Sequence, residues 1–237
     1  MKTYVLGTGP SINEITENEW NYLKNQNTFG FSWFFKKGFA PNWYYTHEND
    51  HQPERLRKTI LENPEKWSRT KVILGKTDNH QIKLPFPNLY ATAVASNHLK
   101  AFNGQQWPHQ FPEPPISFEN FWAKSFERPL CGFRGQLAAV INAAHILGAS
   151  EIALCGIDLY DNSHFYPDEE GSQHVENLRR IMNFDPVKDN HSQMAKLYGS
   201  ATIVDFVKYI SKYITISCCS QRSLLNEVIK YEPIGSR

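Results

Sequence analysis

The sequence predicts an α/β domain in which helices cover both faces of a Rossmann-like, mostly parallel sheet, with a lid-like loop inserted late in the chain. Short apolar runs alternate with helical patterns, which is the order that produces a parallel sheet. The first apolar run enters a glycine-rich turn, Gly7-Thr8-Gly9-Pro10-Ser11, as strands do where a ligand meets the backbone. The length of 237 residues, with 41% hydrophobic and 21% charged residues, fits a single domain over 1–237.

The first part of the chain contains four apolar runs bounded by Gly, Pro or polar residues. They predict strands at 3–7, 27–34, 43–46 and 71–74. Two capping-box patterns, at 11–14 and 16–19, predict short helices after the first strand. The apolar spacing of 53–61 predicts a longer helix.

The rest of the chain has one very regular unit between two irregular ones. Residues 76–128 are rich in proline and aromatic residues and predict an irregular insertion with a short strand at 90–94. Residues 161–195 are polar without a strong period and predict a lid loop. The regular elements are a helix at 135–147 ended by Gly148, a strand at 151–156, a helix at 202–213, a strand at 214–218 and a helix at 223–229.

The composition argues against several kinds of partner. The net charge is +1 without a long basic cluster, so we expect no nucleic-acid binding. No apolar run reaches about 18 residues, so we expect no transmembrane segment, while peripheral membrane contact stays open. The four cysteines form no C-x-x-C pair and no signal peptide opens the chain, so we expect reduced thiols and a cytoplasmic location.

Two turns are candidate binding sites. In the turn from Gly7 to Ser11 the glycines let backbone approach a ligand, Pro10 fits the first helical position, and the N–H groups beyond it favour a phosphate. The second is Gly156-Ile157-Asp158, because ligands of parallel sheets sit outside the carboxyl ends of the strands. We expect Asp158 to cap or orient the turn rather than to catalyse. A plain tight turn is the alternative for the first, since it is neither a dinucleotide fingerprint nor a P-loop.

Four segments carry a family resemblance. They are the turn at 7–11 with Glu14-Ile15, the helix and strand through 147–152, Gly156-Ile157-Asp158-Leu159-Tyr160, and His191-Ser192 followed by 223–225. In order and rough spacing the chain resembles the bacterial sialyltransferases of the Campylobacter type. It also resembles the wider group that includes archaeal 6-hydroxymethylpterin pyrophosphokinases and motility-associated glycosyltransferases. Residues 76–128 match poorly.

The resemblance implies an inverting glycosyltransferase that moves a sugar from a CMP-activated donor to a glycan hydroxyl and needs no cofactor or metal. Tyr160 and Tyr166 match tyrosines that hydrogen-bond the leaving phosphate, and His191 matches the base. A tyrosine O–H can stabilise charge on a phosphate, and a histidine with a pKa of about 6.5 can take the acceptor proton at neutral pH. The resemblance also implies a homotetramer.

The resemblance places several departures from the family pattern in the donor pocket. Thr8, Ser32 and Thr46 stand where the family favours asparagines. Gln136 stands in place of a serine, and Arg134 lies near the place of a family arginine. The complete predicted donor-binding set is Gly7, Thr8, Gly9, Pro10, Ser11, Ser32, Thr46, Arg134, Gln136, Gly156 and Asp158.

Two other functions remain as alternatives. Mg²⁺-dependent diphosphate transfer, as in the pyrophosphokinase branch, needs carboxylates near the phosphates, and Asp158, Asp161 and Asp168 are candidates. A non-catalytic nucleotide-binding module would bind a nucleotide without turnover.

Histidines outside the matched position offer competing interpretations. His164 and His174 lie in the predicted lid and could replace His191 as the base. Residues 47–51 spell H-E-x-x-H, which in zinc proteases requires a helix. Here the motif follows a predicted strand and precedes Pro53, so a strand-exit loop is the simpler interpretation.

Overall fold

The computed structural model describes residues 1–47, 52–76, 86–94, 122–132, 136–159, 165–166 and 203–236. The strands are β1 Lys2–Leu6, β2 Asn27–Phe31, β3 Trp43–His47, β4 Lys71–Lys76, β5 Leu89–Val94, β6 Glu151–Cys155, β7 Thr215–Cys218 and β8 Lys230–Tyr231. The α-helices are α1 Glu17–Leu23, α2 Gln52–Glu62, α3 Pro64–Trp67, α4 Gln136–Ile146 and α5 Ile203–Ile210. Short 3-10 helices cover Pro10–Glu14, Ser32–Lys37 and Leu224–Glu227.

The strands form one eight-stranded sheet in the order β5-β4-β3-β2-β1-β6-β7-β8. Every pairing between neighbouring strands is parallel. The chain therefore builds outward from β1 to β5 on one side and then returns to build β6 to β8 on the other. The strand order reverses between β1 and β6, which is the switch point at which open α/β sheets bind ligands.

Both faces of the sheet are covered by helices, as the sequence predicts. Alternate residues of β1 point to opposite faces, so that Val5 belongs to one buried cluster and Tyr4 and Leu6 to the other. The first cluster contains the apolar sides of α4 and α5, and the second contains those of α1, α2 and α3. The predicted Rossmann-like α/β fold is confirmed.

Local signals decide where several elements begin and end. The capping box at Thr16 and Glu19 forms as predicted, with the Thr16 N–H donating to the Glu19 carboxylate at 2.8 Å. The one expected at 11–14 does not form, because Ser11 donates to Asp158 instead. Gly148 ends α4 with φ +90°, as predicted for a helix C-terminus.

Some elements differ from the sequence prediction. Strand β2 ends at Phe31 rather than at residue 34, because Ser32 turns the chain with φ +55°. The predicted helix at 223–229 is the 3-10 helix Leu224–Glu227. Strand β8 follows it, pairs with β7 and was not predicted.

Parts of the prediction fall outside the described residues. These are most of the insertion at 76–128 and the lid at 161–195 except Phe165 and Tyr166. None of the helices in the described ranges combines the length and the apolar character that crossing a membrane requires.

Candidate functional site

Two backbone turns meet at the switch point. The Gly7 N–H donates to the carbonyl of Cys155 at 2.8 Å, and the Gly9 N–H donates to that of Gly156 at 2.8 Å. A Cβ on Gly7 would lie 2.6 Å from the Gly156 carbonyl oxygen and would also contact Ile157. Glycine is therefore required here by the close approach of two chain segments, and the same approach brings the two predicted turns into one site.

Asp158 fixes the turn from Gly7 to Ser11 by hydrogen bonds to Ser11. Its side chain is buried, and its carboxylate accepts hydrogen bonds from the Ser11 N–H at 2.9 Å and the Ser11 hydroxyl at 2.6 Å. This is the orienting contact expected of Asp158. It also means that the Ser11 N–H, one of the groups expected to favour a phosphate, already has a hydrogen-bond partner within the protein.

The C-terminal part of the chain supports the exit of β6. The Ser223 hydroxyl donates to the Ile157 carbonyl at 2.6 Å, and the Leu224 N–H donates to the Asp158 carbonyl at 3.1 Å. Gly156 and Leu159 have φ values of +68° and +64°, so the chain turns sharply on both sides of Asp158. The segment 223–225 thus fixes the loop that carries Asp158.

A chain of polar side chains crosses the carboxyl edge of the sheet near β2 and β3. Gln136 at the start of α4 donates through Nε2 to Gln52 Oε1 at 3.1 Å. Gln52 at the start of α2 in turn lies 3.4 Å from the Ser32 hydroxyl. Because α2 and α4 cover opposite faces, this contact joins the two faces over the ends of the strands. Sequence reasoning named Ser32 and Gln136 but missed Gln52, whose only local signal is a polar residue at a helix start.

Six side-chain atoms in the described part of the structure are buried without a hydrogen-bond partner, and two of them belong to residues of this region that the sequence singled out. These two are the hydroxyl of Thr46, a fully buried residue of β3, and the side-chain carbonyl oxygen of Gln136. A buried polar group without a partner costs free energy, and such groups in native proteins are commonly satisfied by water, an ion or a ligand. Both residues belong to the predicted donor pocket.

The described pair Phe165–Tyr166 is attached to the first turn. The Phe165 N–H donates to the Thr8 carbonyl at 3.0 Å, and the Asn13 side chain donates to the Phe165 carbonyl at 2.8 Å. Tyr166 is partly buried, and the Lys36 Nζ lies 4.2 Å from the centroid of its ring. The structure therefore places Tyr166 beside the turn from Gly7 to Ser11.

The remaining predicted residues divide into two groups. Gly7 to Ser11, Gly156, Asp158 and Tyr166 surround the switch point, whereas Ser32, Thr46 and Gln136 lie at the ends of β2 and β3 or beside them. Since β3, β2, β1 and β6 are neighbours in the sheet, both groups share one edge. Tyr160, Arg134 and His191 lie outside the described residues, as do His164, His174, Asp161 and Asp168.

The metal-dependent alternatives gain no support from the described residues. Over those ranges, no three His, Cys, Asp or Glu side chains are grouped as a metal would need. His47 ends strand β3 and α2 begins only at Gln52, so the H-E-x-x-H motif does not start in a helix, as a zinc protease would need. Residues 48–51 of that motif lie outside the described part.

The open parallel sheet with helices on both faces makes this an α/β protein. No protein-family model matches the chain, and no curated protein matches it in sequence. Solved structures of the sialyltransferase CstII do match it in fold. The complex from Campylobacter jejuni with the substrate analogue CMP-3FNeuAc is 18% identical over 98% of this chain and 86% of that chain, with a TM-score of 0.53.

Two further CstII structures give the same result. The complex with a trisaccharide acceptor and CMP is 17% identical over 100% of this chain and 88% of that chain, with a TM-score of 0.52. Monomeric CstII is 20% identical over 99% of this chain and 87% of that chain, with a TM-score of 0.52. The resemblance noted in the sequence is thus confirmed as a shared fold over essentially the whole chain.

Proposed function

We propose that the protein is a sialyltransferase-like glycosyltransferase that moves a sugar from a CMP-activated donor to a hydroxyl of a glycan. The observation that carries the proposal is the polar edge over β3-β2-β1-β6, in which the Thr46 hydroxyl and the Gln136 carbonyl oxygen are buried without partners. The fold shared with CstII, which was solved with CMP and with an acceptor, supports the choice of ligand.

The donor would lie across the switch point. Its nucleotide would contact the backbone from Gly7 to Ser11 and at Gly156, where glycines allow close approach. The sugar would extend toward Ser32, Thr46 and Gln136. Sugar hydroxyls both donate and accept hydrogen bonds, so they can satisfy the Gln136 carbonyl oxygen and the Thr46 hydroxyl at once.

The chemistry would follow from the residues assigned by the resemblance. Tyr160 and Tyr166 would donate hydrogen bonds to the phosphate as it leaves, and His191 would accept the proton of the attacking hydroxyl. The hydroxyl would attack the sugar carbon opposite the phosphate, so the configuration at that carbon would invert. This scheme needs no metal, because the hydrogen-bond donors stabilise the negative charge of the leaving phosphate.

Thermal shifts with nucleotides are the first test. CMP, CDP, UDP, GDP and ATP are each added with and without Mg²⁺, because a ligand that binds only the folded state must raise its apparent stability. We expect CMP alone among these nucleotides to raise the thermal stability of the protein, and to do so without metal. Stabilisation only by ATP with Mg²⁺ would instead favour diphosphate transfer, and no shift with any nucleotide would contradict the donor site.

Turnover is the second test. We expect the wild type to hydrolyse CMP-N-acetylneuraminic acid slowly without an acceptor and His191→Ala to lose most of this activity, by about 100-fold or more. NMR of the first-formed product would report whether the configuration inverts. Binding of CMP without hydrolysis or transfer, unaffected by His191→Ala, would identify a non-catalytic nucleotide-binding module.

A further inference from the structure

A lysine beside the proposed donor site is held between two aromatic rings. The Lys36 Nζ lies 4.8 Å from the centroid of the Trp33 ring and 4.2 Å from that of Tyr166. The guanidinium of Arg55, from the first turn of α2, lies 5.7 Å from the Trp33 ring. All three distances are within the range of cation–π attraction. We call Trp33, Lys36, Arg55 and Tyr166 the cation–aromatic cluster.

The sequence explains why Trp33 and Lys36 stand together. Both belong to the 3-10 helix Ser32–Lys37, in which side chains three positions apart are aligned. The buried hydroxyl of Tyr44 fixes this helix, because it donates to the Ser32 carbonyl at 2.7 Å and accepts from the Phe35 N–H at 2.9 Å. Trp33 and Lys36 are therefore carried by a helix that is fixed to the end of β2.

The other side of the cluster is attached to the switch point. Tyr166 follows Phe165, whose N–H is bonded to the Thr8 carbonyl. Lys36 thus bridges the end of β2 and the turn after β1, which are adjacent in the sheet. Lys36 is an exposed residue, and its ammonium group lies beside Tyr166, next to the turn after β1.

Among the described residues, the neighbours of Lys36 are aromatic rings and other cations. No carboxylate within the described ranges lies at ion-pair distance from its Nζ, and the aromatic faces that hold it are neutral. Arg55 adds a second positive charge over Trp33, and Lys37 adds a third beside Phe165. Cations gathered at a crevice raise its positive potential and favour binding of an anion.

We propose that Lys36 binds the phosphate group of the nucleotide and stabilises it as it leaves, an inference that rests on the proposed function. In the transfer step the bond between the sugar carbon and the phosphate oxygen breaks, and its electron pair remains on that oxygen. The acceptor oxygen forms the new bond to the sugar carbon, and its proton passes to the base. The phosphate of CMP thereby gains negative charge, which an ammonium group in contact with it stabilises without a metal.

Calorimetric titration of the full chain with CMP and with cytidine tests this assignment. Lys36→Met keeps the length and packing of the side chain but removes its charge, whereas Lys36→Arg keeps the charge. Lys58→Met is the matched control, because Lys58 is an exposed lysine of α2 that pairs with Glu62. Circular dichroism of each variant establishes that it is folded.

We expect Lys36→Met to bind CMP about tenfold or more weakly, because it loses a charge-assisted hydrogen bond to the phosphate. Lys36→Arg should retain most of the affinity, and Lys58→Met should bind as the wild type does. Cytidine, which lacks the phosphate, should bind the wild type and Lys36→Met alike. Raising the salt concentration should weaken CMP binding more in the wild type than in Lys36→Met.

Each contrary result has its own meaning. If the wild type binds CMP and Lys36→Met binds it equally well, the assignment of Lys36 is wrong while the proposed function stands. If Lys36→Met and Lys36→Arg lose CMP equally, or if cytidine binding falls as much as CMP binding, Lys36 acts through packing and the assignment is again wrong. If the wild type binds no CMP, the proposed function and the assignment both fail.

Discussion

The carboxylate of Asp158 accepts hydrogen bonds from both the N–H and the hydroxyl of Ser11, a residue 147 positions earlier in the chain. This contact ties the turn after β1 to the loop after β6, on the two sides of the switch point. The shape of the proposed donor site therefore depends on a buried contact between the two halves of the sequence.

Replacing Asp158 should destabilise the protein. Asp158→Ala leaves the Ser11 donors buried without their acceptor, and we expect it to lower the free energy of unfolding by about 2–4 kcal/mol. Ser11→Ala removes only the hydroxyl donor and should cost about 1 kcal/mol. Urea unfolding of both variants measures this, and an unfolding midpoint for Asp158→Ala equal to that of the wild type would contradict the role of the carboxylate.

Two glycine substitutions separate crowding from backbone strain. Gly7→Ala would place a methyl group 2.6 Å from the Gly156 carbonyl oxygen, and we expect a loss of about 2–3 kcal/mol. Gly148→Ala meets no atom within 4 Å and should cost only about 1 kcal/mol, from its φ of +90°. Chemical denaturation of the two variants measures their free energies of unfolding. A larger loss of stability in Gly148→Ala than in Gly7→Ala would show that the turns at Gly7 and Gly156 are not packed as described.

Thr46→Val should raise the free energy of unfolding and weaken binding of the sugar donor. Valine has the same shape but lacks the buried hydroxyl that has no partner, so we expect a gain of about 1 kcal/mol in the free energy of unfolding. Affinity for a CMP-sugar analogue should fall, because the sugar loses a hydrogen bond. Thermal unfolding and calorimetric titration measure the two effects.

Thr70→Val is the matched control for that substitution. Thr70 is also buried, but its hydroxyl donates to the Pro41 carbonyl at 2.6 Å. The same chemical change should therefore lower stability by about 1 kcal/mol there and leave ligand affinity unchanged. Loss of stability in both variants would argue that the Thr46 hydroxyl has a partner in the folded protein.

His145 should make stability depend on pH near neutrality. Its Nδ1 accepts a hydrogen bond from Trp122 Nε1 at 2.7 Å, and burial lowers the pKa of His145 from its usual 6.5. Because the pKa of His145 is lower in the folded protein than in the unfolded chain, the unfolded chain binds the proton more readily. The stability associated with neutral His145 is therefore fully present above pH 6.5 and is lost as pH falls through the folded pKa.

The expected result is a fall in wild-type stability between about pH 7 and pH 5 that is smaller in His145→Gln. Glutamine can still accept from Trp122 but does not titrate. Urea unfolding of both proteins at several pH values measures the two pH profiles. The other histidines are the same in both proteins, so their effects cancel in the comparison. Parallel pH profiles would mean that His145 does not gain its proton preferentially on unfolding.

The switch point could be predicted from the sequence because its signals are local. An apolar run that ends in Gly7 and another that ends in Gly156 mark β1 and β6, and the strand–helix alternation makes the sheet parallel. The residue types at these ends then suggest where a ligand binds.

The features that sequence reasoning missed depend on distant partners. Strand β8 has two residues and no pattern of its own, and it exists because β7 lies beside it. Ser32 adopts a positive φ without being glycine, and its carbonyl is held by Tyr44. Gln52 matters through its contacts with Ser32, 20 residues earlier, and with Gln136, 84 residues later, which no local pattern reveals.

The central place of β1 has a consequence for synthesis on the ribosome. Strand β1 can pair with β2 soon after both emerge, but its other edge stays open until β6, at Glu151–Cys155, leaves the exit tunnel. At translation speeds of about 5–20 residues per second, that interval lasts several seconds or more. Throughout that interval β1 exposes a row of unpaired backbone N–H and C=O groups on the side where β6 will pair, and such an edge can pair with other chains.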